Sequence, residues 1–435
     1  MSEIGQVPLN GSDSSRATTP EHGNSTGFPT ASERVTSTSI PETPRAFIEA
    51  LVAMDTTSAK SNLAAIDLLE AAFAAAGARI HRIDAADGLH ASLFATFPAA
   101  DGTVDGGVMV AGHTDCVPVD GQDWTSDPFT PTERDGRLYG RGTADMKAYL
   151  GIIAALAPQI GATKLSHPLH VAATWDEEVA SMRGAVALVA ELEKLGIHPQ
   201  IALVGEPTSM YAIGAHKSMN VMTLTFRGLA SHSSLPVRGL NAIRYAAEFI
   251  TWYHSEIIDR FRSDGPFDEG FLVPWSTGGV NIVRGGTAVN TVADQAYLEL
   301  DFRTLPEVDA QEIHRRVVEK ARELDVRMKA DAPAESAGDA AAVGVEVQTI
   351  GMVTGLASGP TSAAARYAVS LGALATDDKV TYGTEAGAYE AAGMSAVVVG
   401  PGDIAQAHGP DEYIELAQIE EAERFFQRLI ADLAQ

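Results

Sequence analysis

Seven residues carry the chemistry that this sequence offers: His113, Asp115, Asp145, Glu177, Glu178, Glu206 and His408. Each stands beside an apolar run or a glycine-rich turn. His113 and Asp115 form H-x-D at the end of GVMVAGHTD. Residues two apart on a strand face the same way, so one can bind a metal while the other orients its imidazole. A solvated strand end would leave the same pattern. Asp145 follows the glycines of LYGRGTADMKAYLG and precedes a helical pattern, where aspartate also serves as a helix cap. Glu177 and Glu178 close LHVAATWDEE. Neighbours on an extended chain point apart, so one carboxylate can bind metal while the other acts as general base. A charged loop after a buried strand accounts for them as well. Glu206 ends QIALVGEPT, as a ligand or as a turn residue. His408 lies in the loop GPGDIAQAHGPDEYI, where an exposed histidine would be ordinary.

Taken together, two histidines and three carboxylates can hold two metal ions if one carboxylate bridges them. Nitrogen and oxygen donors of this kind suit Zn2+, and also Co2+ or Mn2+. The competing chemistries lack their motifs at the site: the sequence contains no H-E-x-x-H and no P-loop, and GHTDCV lacks the G-x-S-x-G nucleophile elbow. Cys116 is the only cysteine, which rules out an intrachain disulfide and a thiolate zinc site from this chain. The apolar Val117-Pro118 beside it gives no sign of an activated nucleophile.

The elements that must position these residues alternate between strand and helix. Residues 1–40 are Ser/Thr-rich and nearly devoid of large apolar side chains, which predicts a disordered tail. From Pro44, helical periodicity in RAFIEALVAMDT and SNLAAIDLLEAAFAAAG gives way to the apolar strands ASLFATF and GVMVAGHTD. MKAYLGIIAALAPQI and GAVALVAELEKLG follow as helices, separated by LHVAATWDEE. This predicts an α/β domain, its mixed and mostly parallel sheet flanked by helices, with the acidic residues at strand ends. The rhythm breaks near residues 211–217. A βαββα order follows, with a further strand entertained at VRMKA, and it predicts an inserted α+β sandwich. The expected bounds are 41–214 for the first part of the α/β domain, 215–332 for the insertion and 333–435 for the return. ADAPAESAGDAAAVG reads as a surface loop near that return.

Composition narrows the class further. The 435 residues are 45% hydrophobic and 20% charged, the balance of a globular protein with a large core. The formal net charge is −26, so no basic surplus exists to neutralise nucleic acid phosphates. The start of the sequence lacks the charged and apolar segments of a signal peptide, and no apolar run spans a bilayer. A cytoplasmic protein with neither nucleic acid nor membrane as a partner is expected.

The ordered set GHTDCVPVDGQDW, LYGRGTADMKAYLG, TWDEE, GEPT and AQAHGPDEY resembles the M20 metallopeptidases, and within them the acetylornithine deacetylase branch. The resemblance covers nearly all of the chain after residue 44. It implies one metal held by His113, Asp145 and Glu206, and a second held by Asp145, Glu178 and His408, with Asp145 shared. It further implies Glu177 as general base, Asp115 as the support of His113, and a cis peptide after Asp145. The insertion corresponds to the family's dimerisation or lid domain. Its His232 is implied to reach the partner subunit's site and steady the oxyanion. Asn290 and Arg303 fall where the family contacts substrate, and Glu385 is a candidate for a substrate ammonium. The implied substrate is a small N-acyl amino acid. The implied reaction is amide hydrolysis of N2-acetyl-L-ornithine, a step of arginine biosynthesis, by a homodimer. A desuccinylase, an aminoacylase, a dipeptidase and a non-catalytic metal- or amino-acid-binding relative stay open as alternatives.

Overall fold

A computed structural model describes residues 39–179, 181–333 and 342–434. Nearly all of the tail, and most of the Ala-rich stretch after Asp331, lie outside the described residues, and so do the readings made for them.

The apolar runs become the strands of a six-stranded sheet. Its order is Arg79–Asp84, Ala91–Phe97, Leu169–Thr174, Val108–His113, Ile201–Val204, Ser395–Val398. The last four run parallel, while Ala91–Phe97 lies antiparallel to both of its neighbours. The expected mixed, mostly parallel sheet is therefore present. Helices cover both faces, which is why Ala91–Phe97, Val108–His113 and Leu169–Thr174 are buried at every position rather than at alternate ones. Val110, Val171 and Leu203 pack into one core with the helices Pro44–Val52, Leu63–Ala75, Lys147–Ala155 and Leu416–Leu433. Met109, Ala111, Ala172 and Val204 face the other way, towards Arg183–Leu195 and Ala386–Ala391.

Strand register lines up the chemistry. His113 pairs with Thr174, and Ala111 pairs with Val204. The parallel strands thus end side by side. The loops carrying His113, Glu177-Glu178, Glu206 and His408 all leave from carboxyl ends, where sites in open α/β sheets collect.

The inserted domain is a four-stranded antiparallel sheet in the order Thr277–Gly285, Gln295–Arg303, Met219–Arg227, Gly344–Val353. Ala296, Leu298, Leu300 and Phe302 alternate inward against the helices Ala242–Tyr253 and Ala310–Asp331. Two expectations need correction here. VRMKA is not a strand; it closes the helix Ala310–Asp331, because Met328 continues the buried stripe of Val317, Ala321 and Leu324. The remaining strand is instead Gly344–Val353, held in the sheet by its pairing with Met219–Arg227 and by Val345 and Val347 against the core. The inserted sheet therefore extends to Val353, and the boundary at 332 falls one strand short. Among the described residues, no helix is long and apolar enough to cross a membrane.

Candidate metal centre

His113 closes its strand fully buried. Its Nδ1 lies 3.0 Å from the Asp115 backbone oxygen, a contact that orients the ring and aims Nε2 at the neighbouring carboxylates. That Nε2 stands 3.0 Å from Asp145 Oδ1 and 3.8 Å from Glu206 Oε1. Asp145 is not a helix cap: the residue capping Lys147–Ala155 is Met146, which makes no side-chain cap bond. Gly142, at φ +84°, turns the loop so that Asp145 faces the strand ends. The Asp145-Met146 peptide is cis, as the resemblance implies. The other Asp145 oxygen lies 3.2 Å from His408 Nε2, which is 2.9 Å from Glu178 Oε2. Asp145 thus sits between the two histidines.

Asp145, Glu177, Glu178, Glu206 and His408 line one cavity of about 180 Å3, with Met219, Arg303, Tyr382, Gly383 and Ile404 completing its wall. Burial pushes the Glu177 and Glu206 carboxyls well above the usual range, and neighbouring carboxylates add to the effect. Burial likewise brings Glu178 up to about 7. Burial also acts on Asp145, but hydrogen bonds with His113 and His408 outweigh it and hold Asp145 low. Bonds to Asp145 and Glu178 raise His408 to about 10. Crowded buried carboxylates of this kind are relieved by a cation or by protons.

The donor set fits a metal by a second test. Glu178 Oε1 and Glu206 Oε1 are buried without a hydrogen-bond partner among the described residues. An orphaned carboxylate oxygen is costly unless a ligand takes it. Donor atoms of His113, Glu177 and Glu206 lie within 4.8 Å of one another, as do those of His113, Asp145 and Glu178. This grouping cuts the cluster differently from the pairing that the resemblance implies. His408, which the grouping leaves out, meets Asp145 and Glu178 directly. Glu177 differs from Glu178 in that its carboxylate has no hydrogen-bond or ion-pair partner among the described residues.

Asp115 supports the site more broadly than expected. Its carboxylate accepts from Ser58 Oγ at 2.7 Å and from the backbone N–H groups of Glu177 and Glu178, each at 3.3 Å. It holds the two glutamates in place as much as it holds His113, whose Nδ1 is 3.6 Å from Oδ1. Glu412 went unrecognised in the sequence. It is buried, accepts from the N–H groups of Ala144 and Asp145 at 2.9 and 3.2 Å, and pairs with Arg141. Its only signal was a place inside AQAHGPDEY. Ser58 and Tyr382 had none.

The remaining expected residues divide. Arg303 lines the cavity, and its Nε reaches Asp301 Oδ2 only at 3.5 Å. His232 and Asn290 are exposed on adjoining loops of the inserted domain and do not line the cavity. His232 Nδ1 lies 2.7 Å from Ser234 Oγ. Glu385 is buried, with one oxygen taken by Thr174 Oγ1 and the other by Tyr389 OH at 3.1 Å, so the structure does not bring it to the cavity. Cys116 is buried, and burial pushes its thiol up, away from nucleophile chemistry.

Residues 109–432 match Peptidase family M20/M25/M40. The chain belongs to this family. It is 35% identical to an acetylornithine deacetylase of Proteus mirabilis, over 76% of this chain and 80% of that protein. It is 32% identical to an acetylornithine deacetylase of Yersinia pseudotuberculosis, over 88% of this chain and 94% of that protein. Among solved structures, an M20 family metallo-carboxypeptidase from Sulfolobus solfataricus superposes with a TM-score of 0.65 at 17% identity. The alignment covers 90% of this chain and 99% of that one, a likeness that concerns the fold. As an M20 member, the chain is a metal-dependent amidohydrolase.

Proposed function

We propose that this M20 enzyme hydrolyses the amide bond of N2-acetyl-L-ornithine to L-ornithine and acetate, in cytoplasmic arginine biosynthesis. The reading rests on the likeness to the two deacetylases across most of the chain. The convergence of Asp145, Glu178, Glu206 and His408 on one cavity, with buried His113 against Asp145, supports it. In this reading His113, Asp145 and Glu206 hold one divalent ion, and Asp145, Glu178 and His408 hold the other. Zn2+ suits the donors best, with Co2+ and Mn2+ as alternatives. Ions bound there would lower the pKa of a water and polarise the amide carbonyl.

The protein's own groups do the rest. Glu177, with its carboxylate unbonded in the cavity wall, takes a proton from the attacking water and later delivers it to the departing amine. Asp115 keeps Glu177 and Glu178 in register through their backbone N–H groups. Arg303 offers its guanidinium fork to the substrate carboxylate. His232, supplied by a second copy of the chain, donates to the carbonyl oxygen as charge develops there, and Asn290 accompanies it. A homodimer through the inserted domain is consistent with the exposed Val237, Ile243, Val283 and Val289 and with the open edge strand Thr277–Gly285.

The test is a substrate panel with the purified, metal-loaded enzyme. N2-acetyl-L-ornithine should give a higher kcat/KM than N-succinyl-diaminopimelate, N-acetylmethionine or a dipeptide. Activity on N-acetylmethionine or a dipeptide well above that on N2-acetyl-L-ornithine would sink the ornithine assignment and leave the amidohydrolase in place.

A further inference from the structure

We infer that Arg141 and Gln122 are positioning residues that set one of the two ion positions, the one built on Asp145, Glu178 and His408; this rests on the two-ion reading above. The two histidines are held in unlike ways. His113 is fixed by complete burial and by its Nδ1 bond. His408 has a side chain that is 53% exposed, on a loop whose backbone is left-handed at φ +65°, a conformation that costs a non-glycine residue energy. Burial does not fix it, so something else must.

Its carbonyl supplies the hold. Gln122 Nε2 donates to His408 O at 2.8 Å, and Arg141 reaches the same oxygen at 3.4 Å. The Gln122 amide is oriented in turn, because its Oε1 accepts from Trp124 Nε1 at 2.9 Å and from the Arg141 guanidinium at 2.7 Å. With its other arm Arg141 pairs with Glu412 at 2.5 Å, both groups being fully buried. Glu412 accepts from the Asp145 N–H at 3.2 Å. One guanidinium therefore ties the backbone of Asp145, through Glu412, to the backbone of His408, across more than 260 residues of chain. Among the described residues no comparable tie reaches Glu206, which follows the end of the strand Ile201–Val204.

The clamp predicts a selective effect on metal affinity. Zn2+ would be titrated, against a chromophoric chelator, into metal-free wild type, Gln122→Ala and Arg141→Met, and the unfolding temperature of each metal-free protein recorded. Wild type should bind two ions. Gln122→Ala should keep one tight ion and bind the other ~10–100-fold more weakly, the scale of losing a group that orients a ligand; Arg141→Met, which also unpairs the Glu412 that holds the shared Asp145, should weaken that same ion the more strongly of the two. Gln122→Ala should lower the metal-free unfolding temperature far less than Arg141→Met, because Gln122 is half-buried and buried Arg141 keeps its pair with Glu412. If Arg141→Met fails to fold because Glu412 is left unpaired, Gln122→Ala decides alone. Two ions as tight as in wild type, or both ions weakened alike, overturns the clamp. A wild type that binds a single ion refutes the two-ion reading, and the clamp with it.

Discussion

His170 has both ring nitrogens engaged, by Thr96 Oγ1 and by the Gly106 carbonyl, each at 3.0 Å, and it stacks on Phe94. His216 is held between the Lys217 carbonyl at 2.8 Å and Thr384 Oγ1 at 3.0 Å. Burial brings each of them down to about 4, below the ordinary value of about 6.5. Between those two values the unfolded chain takes up protons that the folded chain does not. Their stabilising contribution is therefore present above pH ~6.5 and is lost as pH falls towards ~4, at about 1.4 kcal/mol per pH unit for each histidine. Buried Glu385, raised to about 7, works in the opposite sense, its contribution being lost as pH rises. A comparison of variants separates the two. As pH falls from ~6.5 to ~4, denaturant midpoints of His170→Gln and His216→Gln should drop less, or rise more, than those of wild type, and an unchanged response would count against the assignment. At this scale the ligand-type residues were legible because a polar side chain ending an apolar strand stands out. Glu412, Ser58 and Gln122 were not, because they act by hydrogen bonds from loops that have no periodicity to read.

Elements place the site through close approaches that only small residues allow. Gly205 precedes Glu206, and a Cβ built there would stand 2.0 Å from the ring of buried Tyr149. The Tyr149 hydroxyl is itself bonded to the Leu203 carbonyl, 3.1 Å away, so the ring is not free to swing aside. Gly205→Ala should therefore destabilise the fold by about 1–3 kcal/mol, the scale of overpacking a core. It should also lower metal content by displacing Glu206. Equilibrium denaturation with metal analysis checks both, and a neutral variant would show that the strand end can move. Alternation of apolar runs with helical patterns was enough to expect the α/β sheet. The inserted domain was less legible near its return. VRMKA is short and alternates apolar with basic residues, as a strand would, but it continues the helix because Leu324 and Met328 share a buried stripe. The strand Gly344–Val353 is masked in sequence by polar residues on its open face, visible only once Met219–Arg227 lies beside it.

At the scale of the whole molecule, the role proposed for His232 reaches beyond one chain. His232 is exposed and outside the cavity formed by its own chain, which suits service to a second copy. Coexpressed His232→Ala and Glu177→Gln chains should then form hybrid dimers in which one site has both groups intact. Random pairing should restore about a quarter of wild-type activity from two nearly inactive parents; no restoration would place His232 within its own subunit or outside the reaction. In the proposed mechanism a metal cluster binds the substrate and a separate carboxylate moves the proton. Glu177→Gln tests that division most directly, since the amide keeps the shape and removes the base. Turnover of the metal-loaded variant should fall by ~10²–10⁴-fold while its metal content stays that of wild type. Turnover that survives with full metal content would contradict the role given to Glu177 and the mechanism built on it.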